Sequence, residues 1–384
     1  MSMKRSVPFE EEHEIFRQSL RRFLENEFVP RLEEWCAAGA MPREYWQKLG
    51  EQGYLCPWVE EAYGGMETDF LFSVILAEEI ARYLGDSAVG VPLHSDMVMP
   101  YIASYGTPEQ KAQWIPGAVS GEKISAVAMT EPGAGSDLAA IRATAKRDGD
   151  GYIINGQKTF ITNGTQADLV VVAVKTDTEV SPHHGMSLFV VERGTPGYSA
   201  SDKLEKIGIP FQDTAELYFE ECRVPAGNLL GEEGKGFYYL MEKLQQERLV
   251  VSMSAQVRAE VILEGTIEYC KSRELFGKPL SAMQNTQFRV AEMATEIELG
   301  RTMIDRLIVE HMEGEDVVTE VSMAKWWITE MLNRVATQCL QLHGGYGYMV
   351  EYPVARAWVD ARVQTLYAGT TEVMKTIIAK RMGL

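Results

Sequence analysis

No apolar run in this 384-residue sequence approaches a bilayer span. The longest is LVVVAV at 169–174, against the roughly 20 residues a spanning helix requires. The opening MSMKRSVPFEEEHE has two positive charges but no apolar segment behind them, and acids follow at once, so a cytoplasmic location is expected. Cysteine is sparse: Cys36, Cys56, Cys222, Cys270 and Cys339 are scattered, odd in number and free of any C-x-x-C pair. That usage points to reduced thiols and against a disulfide framework or a zinc site. Six histidines offer no metal spacing either, and His183 and His184 sit in a polar SPHHG loop, so no metal is expected. Basic residues are outnumbered, 37 Lys and Arg against 55 Asp and Glu, giving a net charge of -18. Nucleic acid and anionic membrane are poor main partners for such a surface, because both would be repelled. Several catalytic signatures are also missing: G-x-x-x-x-G-K-[ST], G-x-G-x-x-G after a strand, G-x-S-x-G and H-E-x-x-H. Their absence removes support from simple ATP hydrolysis, Rossmann-type nicotinamide binding, lipase-like acyl transfer and zinc proteolysis.

What is present divides into three segments. Residues 1–121 read as helical, with apolar residues at spacings of three and four in EEEHEIFRQSLRRFLENEFVPRLEEW and DFLFSVILAEEIARYLG. From 122 to 233 the pattern changes to short β-rich runs such as ISAVAMT, GYIINGQKTFITNG, DLVVVAVKT and MSLFVVERG. Asn155-Gly156 predicts a hairpin there, since a type I′ turn needs positive φ at both central residues. Helical patterns return over 234–384. The expectation is an α+β chain in which a β domain lies between two helical ones.

One residue interrupts the helical pattern of the third segment. In FYYLMEKLQQERLVV, Leu240, Leu244, Glu247 and Val251 follow at steps of four, three and four, which puts a carboxylate on an apolar stripe. By itself this could mean a basic partner or a side chain that swings to the edge of the face. Other segments also combine chemistry with unusual backbone. MTEPGAGSD places Gly133, Gly135 and Ser136 in a turn after a strand, where bare N–H groups and hydroxyls can meet a phosphate or heterocycle. GQKTFITNG puts Phe160 and Thr162 on one side of a strand, a flat ring beside a hydroxyl donor. Taken singly, the first is equally an ordinary loop and the second core packing.

Taken together and in order, AMTEPGAGSD, YIINGQKTFITNG, FGKPLSAMQ, QLHGGYGYMVEYPVARAWVDARV and LYAGTTEVMK resemble the acyl-CoA dehydrogenase family across essentially the whole chain. The resemblance implies an N-terminal helical domain, a middle β-barrel-like domain and a C-terminal four-helix bundle. It also implies a homotetramer built as a dimer of dimers, one FAD per subunit, an acyl-CoA substrate of fatty-acid β-oxidation, and an electron-transfer flavoprotein as partner. Met129, Thr130, Gly135 and Ser136 would contact FAD, with Ser136 also reaching the substrate. Phe160 takes the usual tryptophan place against the flavin, and Thr162 would donate to flavin N5. Arg273, Phe276 and Gln284, with Gln341, Gly344 and Gly345, match positions that hold the FAD of a neighbouring subunit, and Thr370 and Glu372 complete the cofactor set.

The sequence departs from the family at the base. Many members carry a glutamate in YEGT, and here the segment is YAGT with Ala368, which cannot take a proton. Two interpretations follow, a flavoprotein scaffold without turnover or a base supplied from elsewhere. Members resembling the long-chain and isovaleryl types place the glutamate on the first bundle helix, and that position is Glu247. The long-chain type is the nearest, sharing LHSDMVM, GFYYLM and QERL. The resemblance then assigns proton abstraction to Glu247 and the oxyanion contact to the backbone N–H of Ala368. It puts Arg248, Leu244, Tyr367 and Gly369 around the substrate, with Gly90 and Pro92 in the helix that closes the acyl pocket. A medium to long acyl chain oxidised to a trans-2-enoyl-CoA is the expectation, with oxidase chemistry or a branched chain as the alternatives.

Overall fold

The computed structural model describes residues 5–384, so the first four residues of the N-terminal segment that prompts the cytoplasmic expectation lie outside it. The N-terminal helices include Glu11–Phe23, Phe70–Leu84, Met99–Tyr105 and Pro108–Val119. Phe70–Leu84 starts where the Asp69 side chain accepts from Leu71 N, and its 15 residues are mostly buried, as its nearly continuous apolar sequence requires. Thr107 and Gln110 form a reciprocal cap at the start of Pro108–Val119. The Gln110 amide then donates to the carbonyls of Gly227 and Leu229 at 2.7 and 2.8 Å, fastening this helix to the sheet.

Eight strands form the middle layer: β1 Ser125–Ala128, β2 Thr144–Asp148, β3 Gly151–Thr162, β4 Leu169–Lys175, β5 Met186–Glu192, β6 Tyr198–Ala200, β7 Thr214–Pro225 and β8 Leu229–Leu230. Their order is β6-β7-β3-β2-β4-β5-β8, with β1 pairing parallel to β4. The apolar run LVVVAV is β4, buried along its length because it has strand neighbours on both edges and core on both faces.

The predicted hairpin is not at Asn155-Gly156. Both residues lie inside the continuous β3, and the β2–β3 turn is Gly149-Asp150, closed by the Asp148↔Gly151 pair with Gly149 at φ 59°. The dipeptide instead sits opposite a bulge. The register steps from Ile154↔Cys222 to Gly156↔Phe219, leaving an extra residue in β7, where Glu221 is left-handed. Asn155 holds it by accepting from Glu221 N and donating to its carboxylate, each at 2.8 Å. Gly156 is required because a Cβ would come within 2.5 Å of Ala143 Cβ.

The C-terminal layer is built from the helices Gly236–Ser272, Gln284–Met312, Val318–His343 and Thr371–Arg381. The first has 37 residues, which at about 1.5 Å per residue spans roughly 55 Å. A buried charge cluster ties it to the N-terminal helices. Glu78 accepts from Arg5, Arg17 and Arg301, while Arg301 also donates to Glu260. Burial alone would raise the Glu78 pKa, yet the three guanidinium groups hold its carboxyl well below the usual range. Among the described residues all five cysteines are free, no cluster of metal-ligating side chains occurs, and no helix is long and apolar enough to cross a membrane.

Candidate active site

Leu240, Leu244, Glu247 and Val251 are all buried on one face of Gly236–Ser272, so the apolar stripe read from periodicity includes its carboxylate. Glu247 is only 6% exposed. Its hydrogen-bond partner is a phenol: Tyr101 donates to Oε1 at 2.6 Å from the helix Met99–Tyr105. Burial pushes the Glu247 carboxyl up to about 7, against the opposing pull of the Tyr101 hydrogen bond and the Arg248 charge. A carboxyl poised near neutrality can release a proton to solvent and take one from a weak carbon acid.

Arg248 is buried beside it, and its Nε finds no hydrogen-bond partner among the described residues. The turn at 367–370 lies against Arg248. An ideal Cβ placed on Gly369 would lie 3.8 Å from Arg248 Nη2 and 2.5 Å from Met374 Cε, so a side chain there would have to displace the end of the methionine. Ala368 is left-handed at φ 51° and Gly369 at φ 97°, and Thr370 caps the following helix by accepting from Val373 N. Lys325, fully buried on Val318–His343, donates to the Gly369 carbonyl at 2.6 Å. Its ammonium is depressed to about 7 by burial and then by Arg248. Tyr367 and Ala368 are half-buried against the bundle core, and Glu372 is exposed in the first turn of the last helix.

A second wall comes from the sheet. β3 carries an extra residue between Lys158↔Leu217 and Ile161↔Ala215, and Phe160 in that bulge is left-handed at φ 59° and 69% exposed. Holding a phenylalanine ring outward on a strained backbone costs on the order of 1 kcal/mol or more, which marks a functional surface. Beside it, the 129–136 loop is anchored from below. Lys158 donates to Met129 O at 3.0 Å and to Glu131 at 2.8 Å, and Thr159 N donates to Thr130 O. Glu131 also accepts from the backbone of Arg142 and Ala143. Among the described residues the hydroxyls of Thr130, Ser136 and Thr162 find no partner, Gly135 and Ser136 are exposed, and a Cβ on Gly133 would meet nothing within 4 Å. An exposed ring, three unengaged hydroxyls and an open glycine loop fit a flat heterocycle with a polar rim.

The remaining predicted residues form a separate exposed group. The strands β9 Glu274–Leu275 and β10 Lys278–Pro279 make a hairpin with Phe276-Gly277 at its tip, both at positive φ, and Phe276 is 97% exposed. Arg273 covers the Tyr346 ring, and Tyr269 stacks on His343 at 4.1 Å, which brings the hairpin against the turn bearing Gly344 and Gly345. Arg273, Gln284, Gln341, Gly344 and Gly345 are likewise exposed. Gly90 and Pro92 are buried elsewhere. Gly90 N donates to Gln212 at 2.9 Å and its carbonyl accepts from Asn163, and a Cβ there would fall 2.2 Å from Asn163 Oδ1. The structure therefore places Gly90 against the β domain, while Tyr101, further along the same helical segment, meets Glu247.

Tyr101, Lys325 and the Lys158–Glu131 pair escape a sequence reading. Their partners are 146, 44 and 27 positions away, and the one available signal was that a buried acid at 247 must have a donor.

Comparison with known proteins covers the whole chain. The N-terminal, middle and C-terminal domains of acyl-CoA dehydrogenases match residues 10–122, 126–222 and 234–383. The chain is 49% identical to the mitochondrial long-chain specific acyl-CoA dehydrogenase of Rattus norvegicus over 375 residues, 97% of this chain and 87% of that protein. The crystal structure of an acyl-CoA dehydrogenase from Geobacillus kaustophilus superimposes with a TM-score of 0.98 at 60% identity, covering 99% of this chain and 100% of that one. A glutaryl-CoA dehydrogenase from Mycobacterium smegmatis in complex with FADH2 gives a TM-score of 0.90 at 30% identity, over 97% of this chain and 95% of that one.

Proposed function

The chain belongs to the acyl-CoA dehydrogenase family, and on that premise we propose that it oxidises a medium- to long-chain fatty acyl-CoA to the trans-2-enoyl-CoA with Glu247 as the base. The cofactor is FAD, which when bound supplies the hydride acceptor for the β carbon. Phe160, Thr162, Thr130, Gly135, Ser136 and Met129 would hold its ring system. Thr370 and Glu372 lie at the start of the last helix.

The observation that carries the reading is the buried Glu247 carboxyl, whose neighbour Arg248 lies against the turn in which Ala368 is left-handed. Removing an α proton from a thioester needs a base on one face and stabilisation of the oxygen as charge moves onto it. Glu247 takes the proton, with its basicity raised by burial. The Ala368 N–H is the oxyanion donor, a role that does not depend on the side chain at 368. Lys325 holds the next carbonyl of that turn, and the adjacent Arg248 charge limits how far the base is raised. Leu244 and Tyr367 supply apolar wall, and Gly90 and Pro92 shape the start of the helical segment that carries Tyr101.

The assembly we propose is a tetramer of two dimers in which Arg273, Phe276, Gln284, Gln341, Gly344 and Gly345 meet the FAD of a neighbouring subunit. The exposed ring at the hairpin tip supports it, since an isolated chain gains nothing from a left-handed phenylalanine in water. An electron-transfer flavoprotein is the proposed acceptor, the cytoplasm the proposed location, and 1–121, 122–233 and 234–384 the proposed domain limits. Anaerobic titration with butyryl-, octanoyl- and palmitoyl-CoA tests the substrate class. Bleaching of the flavin band should be tightest with the longer chains, and a strong preference for chains of eight carbons or fewer would overturn the deep-pocket reading.

A further inference from the structure

The carboxylate of Glu247 presents its two oxygens unequally. Oε1 accepts from the Tyr101 hydroxyl at 2.6 Å, whereas Oε2 has no hydrogen-bond partner among the described residues. That length is in the range of a charge-assisted O–H···O⁻ bond. Tyr101 is fully buried, and among the described residues its sole hydrogen-bond partner is Glu247. It is also held firmly. The segment before it, Leu93–Val98, is fastened to the bundle by Gln246, which donates to Asp96 O at 2.7 Å from the residue adjoining Glu247.

We propose that Tyr101 is the positioning residue for the base: by donating to Oε1 it locks the Glu247 carboxylate in one rotamer and leaves Oε2 as the atom that receives the substrate α proton. This rests on the assignment of Glu247 as base. In the step itself the α C–H bond breaks and an O–H bond forms at Oε2. The electron pair stays with the substrate as the β hydride departs to the flavin, and Tyr101 keeps its proton throughout. The bond also sets basicity. Burial raises the Glu247 carboxyl, and the phenol donor draws it back, so that it titrates at about 7, close to neutral pH. The groups acting on Glu247 are Tyr101 from the N-terminal domain and Arg248 from its own helix. Arg248 in turn acts on Lys325 of the facing bundle helix, and Tyr105 acts on Tyr101.

The test compares the FAD-loaded parent, Y101F and E247Q. Infrared difference spectra over a pH titration give the midpoint of the protonated-carboxyl band that is absent in E247Q. Single-turnover bleaching by palmitoyl-CoA gives the rate profile. In Y101F the infrared midpoint and the acid limb of the rate should both move up by about one pH unit, because the donor favours the charged form. The plateau rate should fall about tenfold, the penalty for a loosened base, with KM little changed. An unchanged midpoint and plateau in Y101F would overturn the proposal. If Y101F fails to retain FAD, trifluorotyrosine at position 101 decides. Its stronger donor should move the midpoint down, and no movement would overturn the proposal equally. Normal bleaching in E247Q would instead sink the base assignment, and this inference with it.

Discussion

Lys325 and Gly369 are joined by a 2.6 Å hydrogen bond between a fully buried ammonium and the carbonyl that follows Ala368, the proposed oxyanion donor. The two lie 44 positions apart on different helical elements. The bond makes the turn at 367–370 part of the bundle core, and it explains how Ala368 and Gly369 keep positive φ without a stabilising side chain of their own.

Lys325→Met should therefore leave the Gly369 carbonyl without a donor. We expect a stability loss of about 1–3 kcal/mol. The rate of flavin bleaching by acyl-CoA should fall while FAD content stays at one per chain. Denaturant melts and single-turnover absorbance on the same preparation separate the two effects.

The elevated Glu247 carboxyl has a thermodynamic signature. Its folded pKa of about 7 stands above the unfolded value of 4.5, so its contribution to stability is fully present below pH 4.5 and is lost as pH rises through 7. Glu247→Gln removes that dependence. Relative to the parent, the variant should gain up to about 3 kcal/mol between pH 4.5 and pH 8. Thermal melts at several pH values read this directly, and a constant difference across the range would show that the carboxyl is not raised.

Lys158 and Glu131 form a buried pair beneath the 129–136 loop, and burial, opposed by Glu131, depresses the lysine to about 8. Lys158→Met strands a carboxylate in the interior, at a cost of about 3–5 kcal/mol. The loop that would face the flavin should loosen with it. FAD should be lost on gel filtration from this variant sooner than from the parent, and the double variant K158M/E131L should recover part of the stability.

Phe276→Asp puts a charge on the ring at the hairpin tip. Because Phe276 is 97% exposed in the single chain, the folded protomer should melt as the parent does. Sedimentation should show smaller assemblies with weaker FAD retention. An unchanged tetramer that keeps its flavin would remove Phe276 from the interface.

Much of this organisation was legible in the sequence, because the features that specify it are local. The period of 3.6 placed Glu247 on the buried stripe with Leu240, Leu244 and Val251. The β-rich runs between Ser125 and Leu230 were separable from the helices by their short length, their β-branched composition and the turn residues between them. The turn chemistry was less faithful. Asn155-Gly156 has the composition of a hairpin turn, yet the pair is used to fasten a bulge, and Gly149-Asp150 six residues earlier makes the turn. Either dipeptide can adopt positive φ, and strand register chose between them. The Tyr101 and Lys325 contacts had no local signature at all, since donor and acceptor meet only when separate domains or helices close. The sequence resemblance supplied the positions of the reacting groups, and the structure supplied what holds them.

Glu247 is the proposed base in a chain that carries Ala368 where many relatives have a glutamate. The most direct measurement is anaerobic single-turnover bleaching of the flavin by palmitoyl-CoA in the parent and in Glu247→Gln, each loaded with FAD. Equal flavin content is expected, with a rate lower by roughly 100- to 10,000-fold in the variant. Bleaching at the parent rate would exclude Glu247 as the base.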